Sequence, residues 1–144
     1  MDMNEFLSVF RNNYANFTGR ARRREYWMFS LINALVIFAL EIPFLLLALP
    51  SMSQDSAAAP SALSLVSLLP LVIYYFAALI PALALCIRRL HDTGRSGWLY
   101  LLILVPLVGS IIIIVFFVTD SQPGSNKWGP NPKGTAAVQG GAWG

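Results

Sequence analysis

The sequence has little charge and few of the residues that build most catalytic and metal sites. Asp, Glu, Lys and Arg make up 12% of the 144 residues, about half the share usual in a soluble globular domain, whereas 56% are hydrophobic. Cys86 is the one cysteine, so no intrachain disulfide can form, and a small apolar core position explains it. His91 is the one histidine, so a zinc site would lack most of its usual ligands. We therefore expect no metal and no cofactor.

Charge is absent altogether from two long stretches of the chain. Residues 63–87 and 98–118 contain no Asp, Glu, Lys or Arg and are 25 and 21 residues long. Because about 20 apolar residues in a helix span the hydrocarbon of a bilayer, each stretch predicts a transmembrane helix. A further apolar segment, residues 27–49, contains Glu41 and Pro43 and is predicted as the first span. These segments leave no room for a separate soluble catalytic domain.

Proline interrupts the later two predicted spans. Pro70 and Pro81 lie in the second span, where neighbouring groups can satisfy the carbonyls that a kink frees. Pro106 and Gly109 lie in the third span, and they leave open a re-entrant hairpin in place of a full crossing. Residues 50–62, between the first two spans, are predicted as a short polar loop.

The two ends of the chain have a different character. An amphipathic helix is predicted over residues 3–17 from aromatic side chains at helical spacing, namely Phe6, Phe10, Tyr14 and Phe17. Residues 119–133 are rich in Gly and Pro, which favours turns over packed structure, and residues 134–144 are predicted to be disordered. We therefore predict a single membrane domain over residues 1–133. Its fold is all-α, with the amphipathic helix, three transmembrane helices and a Gly/Pro-rich tail.

The basic residues indicate an orientation in the membrane. Five Arg precede residue 26, three lie between residues 88 and 95, and two Lys follow residue 119, whereas residues 50–62 contain none. With three spans, a cytoplasmic N-terminus would place eight basic residues inside and two outside, which the positive-inside rule favours. A hairpin at Pro106 would instead return the tail to the cytoplasm. An apolar bundle offers no soluble basic face, so we expect no nucleic-acid partner.

Arginines beside the predicted spans form the most credible binding surface. Guanidinium groups bind phosphates in a forked geometry, so an anionic lipid headgroup is the obvious ligand. The predicted lipid- or partner-binding residues are Arg20, Arg22, Arg23, Arg24, Arg88, Arg89 and Arg95. The alternative is that these charges set topology alone and pair internally with Glu25 and Asp92. Tyr26, Trp27 and Trp98 are predicted to anchor the chain at the membrane interface.

Three polar residues invite a catalytic interpretation that the pattern does not favour. His91 and Asp92 are adjacent, but adjacent residues need not have side chains that meet, and a polar loop explains them better. Ser96 lacks the strained turn and oxyanion donors that activate a serine, so a helix N-cap is the better explanation. We therefore expect a non-enzymatic protein. The alternatives are a small transporter or channel component that uses Glu41, and a membrane enzyme that uses His91 and Asp92.

Several motifs together resemble a known family. Four stretches carry the resemblance. They are residues 17–27, residues 88–98 with the motifs at 88–92 and 96–98, Pro106 with Gly109, and residues 124–132. In this order they are similar to the domain-of-unknown-function 805 family, which comprises small bacterial inner-membrane proteins of the YhaH type. The resemblance implies a helical, multispan protein of the bacterial inner (plasma) membrane, and it brings no established activity. Small three-helix membrane domains often need partners, so a homo-oligomer or a membrane-protein partner is also expected.

Overall fold

The computed structural model describes residues 3–52 and 61–134. In these ranges the elements are α1 (Met3–Arg11), α2 (Arg23–Met52), α3 (Ala62–Val66), α4 (Leu69–Asp92), a 3₁₀ helix (Gly97–Leu104) and α5 (Val108–Val118). The described ranges contain no strand, which confirms the all-α prediction for them. The predicted disorder concerns residues 134–144, and all of these but Gly134 lie outside the described residues, as does most of the predicted loop at 50–62.

α1 is shorter than the helix predicted over residues 3–17. It ends at Arg11, where the N–H groups of Asn12 and Asn13 both donate to the carbonyl of Ser8, and a turn between Asn13 and Asn16 follows. The Nδ2 atom of Asn16 donates to Oδ1 of Asn13 at 2.9 Å. The last two aromatic residues of the predicted stripe therefore lie beyond the helix end.

Two helical stretches are long and apolar enough to cross a membrane. Among the described residues these are Arg23–Pro50 and Ala62–Asp92, of 28 and 31 residues, at the positions predicted as 27–49 and 63–87. Only 11% and 17% of their most apolar windows are buried, whereas the core helix of a soluble protein is mostly buried. The outward apolar side chains need another apolar surface, and a lipid bilayer supplies one.

The second of these stretches begins with a break at a proline. α3 ends at Val66, and α4 begins at Leu69, directly before Pro70. In a continuous helix the ring of Pro70 would clash with the carbonyl four residues earlier, which is that of Val66. Pro43 and Pro81, by contrast, lie within α2 and α4 without ending them.

The third predicted span is corrected by the structure, because residues 98–118 do not form one helix. The 3₁₀ helix ends at Leu104, and α5 begins only at Val108. Pro106 lies in the gap between them. It has no N–H to donate, and its ring would clash with the carbonyl of Leu102 in a continuous α-helix.

A strained turn joins the two short helices. Leu107 has φ 61° and ψ −64°, and the Val108 N–H donates to the Pro106 carbonyl at 2.7 Å, which is a γ-turn of the rare positive-φ type. The helices then approach so closely that a Cβ atom on Gly109 would lie 1.7 Å from the carbonyl oxygen of Leu102. Glycine at this position is therefore a packing requirement.

Both ends of the segment from Gly97 to Val118 lie beside the C-terminal part of α4. At its start, a Cβ atom on Gly97 would lie 2.7 Å from Cγ2 of Ile87. At its end, the Arg89 Nε donates to the carbonyl of Phe117 at 3.2 Å. The segment therefore leaves α4 and returns to it.

The chain forms two compact units, one of Met1–Phe29 with Ile80–Gly144 and the other of Ser30–Leu79. In the second unit the Tyr74 hydroxyl donates to Oδ1 of Asn33 at 2.7 Å, which links α4 to α2. The first unit has two small apolar cores, formed by Val9, Ala21, Phe29 and Leu85 and by Leu90, Ile113 and Phe117. The single domain expected over residues 1–133 stays a prediction.

Candidate functional site

A buried polar cluster surrounds Asp92, the last residue of α4. Its fully buried carboxylate accepts hydrogen bonds from Nε of Arg20 at 3.0 Å, from Nη1 of Arg89, and from Oγ of Ser121 at 2.6 Å. Arg20 and Arg89 are themselves only 9% and 0% exposed. We call these four residues the Asp92 centre. Two buried guanidinium groups face one carboxylate, so other acceptors must satisfy the remaining donors.

Arg89 satisfies its donors at the C-terminal end of α5. Its Nε and Nη2 donate to the carbonyl of Phe117 at 3.2 and 3.1 Å, and Nη2 also donates to the carbonyl of Thr119. The last carbonyls of a helix have no partner within it and carry partial negative charge, so a cation there is stabilising. Arg89 thus acts as a side-chain cap for α5.

Arg20 satisfies its donors on the tail. Its Nη2 donates to the carbonyl of Gln122 at 2.6 Å, and its Nη1 donates to that of Gly124 at 2.8 Å. The Gln122 N–H in turn donates to the backbone carbonyl of Asp92 at 2.8 Å. The tail was expected to consist of turns without packing. It does contain turns, but the arginine binds them against the end of α4.

His91 and Asp92 do not form an acid–base pair. The ring of His91 stacks on Trp128 with centroids 4.4 Å apart and an interplanar angle of 11°. The Nδ1 atom of His91 lies 3.3 Å from the carbonyl oxygen of Gly19. The two carboxylate oxygens of Asp92 instead accept hydrogen bonds from Arg20 and Arg89. His91 and Trp128 also line a mostly apolar cavity of about 480 Å³. The described residues contain no group of three His, Cys, Asp or Glu side chains that could hold a metal.

His91 and Asp92 lie in the last turn of α4, not in the polar loop that the sequence suggested for them. The loop is confined to the few residues between Asp92 and Gly97. Ser96 caps the 3₁₀ helix there, since its Oγ accepts from the Trp98 N–H at 3.4 Å. This is the role that its position before a new helix suggested.

Arg88 is the third buried arginine, and its environment differs from that of Arg89. Its Nη1 donates to Oε1 of Glu25 at 3.1 Å. Its Nε and Nη2 are buried and have no hydrogen-bond partner among the described residues. Only part of its hydrogen-bonding capacity is therefore used.

The predicted arginine surface is divided by burial. Arg20, Arg88 and Arg89 lie in the interior and make the internal pairs with Glu25 and Asp92 that stood as the alternative. The exposed members are Arg22, Arg23 and Arg24, at the start of α2. Arg95 is half-buried, with its guanidinium 4.1 Å from the ring centroid of Phe116.

The aromatic residues expected at the membrane interface also divide. Trp27 and Trp98 are 43% and 80% exposed, which suits an interfacial position. Tyr26 packs inward on Phe117, with ring centroids 4.4 Å apart. Ser121, Gln122 and Trp128 also contribute to the site. Sequence reasoning assigns no role to Ser121 or Gln122, and it marks Trp128 only as part of the motif at residues 124–132. The motif at residues 124–132 was the one signal that the tail has a defined structure.

Known proteins resemble this chain over most of its length. The family model described as a protein of unknown function (DUF805) matches residues 14–130. The inner membrane protein YhaI of Escherichia coli (strain K12) is 45% identical over 133 residues, covering 91% of this chain and 97% of YhaI. The inner membrane protein YhaH of the same strain is 40% identical over 131 residues, covering 91% of this chain and 98% of YhaH. No solved structure matches the chain.

The relatives' names and the two long apolar helices agree on a membrane protein, and none of these comparisons indicates an enzymatic activity. The motifs that suggested the family lie within the matched residues 14–130, apart from the last two positions of the stretch 124–132. The chain belongs to the DUF805 family of proteins of unknown function.

Proposed function

We propose that this chain is a non-enzymatic, multi-pass inner-membrane protein that contacts anionic phospholipid on its cytoplasmic side. The observation that carries the proposal is the exposure of Arg22, Arg23 and Arg24 a few residues before Trp27, which is also exposed. A basic side chain near an anionic membrane surface contributes about 1 kcal/mol of attraction. Arg20, Arg88 and Arg89 are buried and do not belong to this exposed surface, which lies at the start of α2.

The proposed topology has two crossings, by α2 and by α3 with α4, and a re-entrant hairpin at residues 97–118. Its 3₁₀ helix and α5, of 8 and 11 residues, are each about 16 Å long, roughly half of the hydrocarbon thickness. The return of this segment to α4 supports the hairpin. The contacts of Arg20 with both Asp92 and the tail support placing all three on one side.

This arrangement makes the charge distribution fully one-sided. All 10 Lys and Arg residues lie outside the apolar segments 27–49 and 63–87 of the two crossings and on the side of the N-terminus, and the loop at residues 50–62 contains none. The three-span alternative would place two Lys on the opposite side. The positive-inside rule therefore favours the hairpin and a cytoplasmic N-terminus.

Cysteine labelling in intact cells tests the topology. In a Cys86→Ser background, Asn12→Cys, Asp55→Cys and Ser125→Cys are each treated with a membrane-impermeant maleimide. We expect position 55 to react from outside, and positions 12 and 125 to react only after the membrane is opened. Reaction of position 125 from outside would restore the three-span arrangement.

Lipid retention tests the contact surface. The triple variant Arg22→Gln, Arg23→Gln, Arg24→Gln is purified in dodecyl maltoside, and its bound phosphatidylglycerol is compared with its bound phosphatidylethanolamine. We expect the ratio to fall at least about fivefold, since a loss of about 1 kcal/mol per charge is a factor of about five. Arg11→Gln, which removes an exposed charge at the end of α1, is the matched control. An unchanged ratio in the triple variant would sink the lipid proposal and favour a protein partner at this surface.

A further inference from the structure

A polar cavity lies where α1 ends and α2 begins. Its volume is about 340 Å³, which corresponds to on the order of ten water molecules. It is lined by Ser8, Asn13, Arg22, Arg24, Glu25 and Arg88. Three guanidinium groups and one carboxylate give this lining an excess of positive charge. All six residues belong to the same compact unit.

Arg88 is the observation that points to a ligand. It is 4% exposed, and its Nε and Nη2 lack hydrogen-bond partners in the part of the chain that the structure describes. Buried donors in native proteins are nearly always paired, and an unpaired donor on a charged group is especially costly. The two nitrogens form one edge of the guanidinium fork, which matches two oxygens of a phosphate or carboxylate group.

The carboxylate of Glu25 does not pair with Nε or Nη2 of Arg88. Glu25 contacts only Nη1 of Arg88, at 3.1 Å, on the other part of the guanidinium. Arg89, the next residue, donates instead to Asp92 and to the carbonyls at the end of α5. Among the described residues, the fold therefore provides acceptors for the guanidinium nitrogens of Arg89 but none for Nε and Nη2 of Arg88.

Other groups around the cavity suit an oxyanion. Arg22 and Arg24 supply further positive charge, and the side chains of Ser8 and Asn13 supply neutral hydrogen-bonding groups. The first turn of α2 adds the partial positive charge of a helix N-terminus.

We propose that this cavity is a phosphate-binding site, which takes either the phosphodiester of an anionic lipid headgroup or a free phosphate ion. The inference rests on the proposed function, because it replaces part of a diffuse lipid contact with a defined site at the same end of α2. Arg88 binds the phosphate through Nε and Nη2, and Arg22 and Arg24 neutralise its charge.

Direct binding to the full chain tests this site without a membrane. Delipidated protein in dodecyl maltoside is titrated with inorganic phosphate and, separately, with dihexanoyl-phosphatidylglycerol below its micellar concentration, and calorimetry records the heat. We expect saturable binding with a stoichiometry of one. Binding of the lipid alone assigns the site to a headgroup, and binding of phosphate alone assigns it to the free ion. No saturable binding of either probe would overturn the proposal.

A matched pair of substitutions distinguishes the site from general electrostatic attraction. Asn13→Asp puts a negative charge in the lining and keeps the oxygen that accepts from Asn16, whereas Asn12→Asp makes the same change at an exposed neighbour outside the lining. We expect Asn13→Asp to weaken binding by at least about tenfold and Asn12→Asp by less than about twofold. Equal weakening by both would overturn the site.

Two further variants address Arg88 itself and separate this inference from the proposed function. Arg88→Lys keeps the charge beside Glu25 but loses the forked edge, so phosphate binding should weaken while the melting curve by circular dichroism is retained. Arg23→Gln changes an arginine that does not line the cavity. It should lower phosphatidylglycerol retention and leave phosphate binding unchanged. If the exposed arginines do not bind lipid, the phosphate titration still tests the cavity. If the cavity does not bind phosphate, the retention assay still tests the exposed arginines.

Discussion

Replacing Asp92 with Asn should release the tail from the end of α4. The change keeps the size of the side chain but removes the charge that offsets the buried guanidinium groups of Arg20 and Arg89. Both arginines and Asp92 are at least nine-tenths buried, so water cannot replace the lost charge. Removal of one partner from a buried ion pair costs about 3–5 kcal/mol, because the other charge remains buried. We expect the docked tail to be destabilised by about this amount.

Limited proteolysis measures this loss at the tail itself. Trypsin cleaves after Lys127 and Lys133, which both lie in the docked segment. When opening is fast relative to cleavage, the cleavage rate follows the population of the open tail. A loss of about 3 kcal/mol raises that population by about two orders of magnitude. Asp92→Asn should therefore be cut after Lys127 about a hundred times faster than the parent protein.

Asp120→Asn is the matched control, because it makes the same chemical change at an exposed ion pair. Asp120 pairs with Lys133, and the two side chains are 57% and 43% exposed. Exposed pairs contribute about 0–1 kcal/mol, so the control should be cut after Lys127 at nearly the rate of the parent. Equal cleavage rates for Asp92→Asn and Asp120→Asn would refute the conclusion that the Asp92 centre holds the tail.

Two further predictions concern the hairpin and the exposed ion pair. Gly109→Ala should lower the free energy of unfolding in mixed micelles by about 1–3 kcal/mol, because the new Cβ atom would lie 1.7 Å from the carbonyl oxygen of Leu102. Ser110→Ala is the control, and an effect of Gly109→Ala no larger than that of the control would contradict the close packing. The hydrogen bond from Lys133 lowers the pKa of Asp120 from its ordinary value of 3.8, so carbon-13 NMR should place its titration midpoint below 3.8, and Lys133→Ala should raise it. The pKa of Asp120 is lower in the folded protein than in the unfolded chain. The pair therefore contributes to stability above pH 3.8, and this contribution is lost as the pH falls through the lowered pKa. A midpoint at or above pH 3.8 would contradict the pair.

Length and charge were sufficient to predict two long apolar helices out of the three predicted spans. α2 and α4 contain long apolar segments with at most one charged residue, Glu41 in α2, so composition alone places them. The same criteria fail for residues 98–118, because a run of this length fits one crossing or a hairpin with two short helices. Pro106 and Gly109 were the only local signals of the hairpin. The positive φ of Leu107 has no local sequence signal, since it depends on packing between the helices.

Burial within the arginine cluster could not be predicted from sequence. Topology predicts that Arg20 and Arg88–Arg89 lie at one side of the membrane, yet Arg20 and Asp92 are 72 positions apart in the chain. Whether they meet depends on how the tail folds. The composition of residues 119–133 suggested unpacked turns, because Gly, Pro and Asn are common in such segments. The contacts of Ser121 and Gln122 with Asp92 follow from tertiary structure alone.

The hydrogen-bonding requirements of the buried arginines explain why so polar a tail is ordered. A buried guanidinium needs acceptors, and Asp92 cannot supply enough of them for Arg20 and Arg89 together. The backbone carbonyls of α5 and of the tail provide the remaining acceptors, so hydrogen bonds from the buried arginines hold the tail in place. No segment of the described chain does the same for Nε and Nη2 of Arg88. By the same reasoning, Arg88 is where an acceptor from outside the chain should bind.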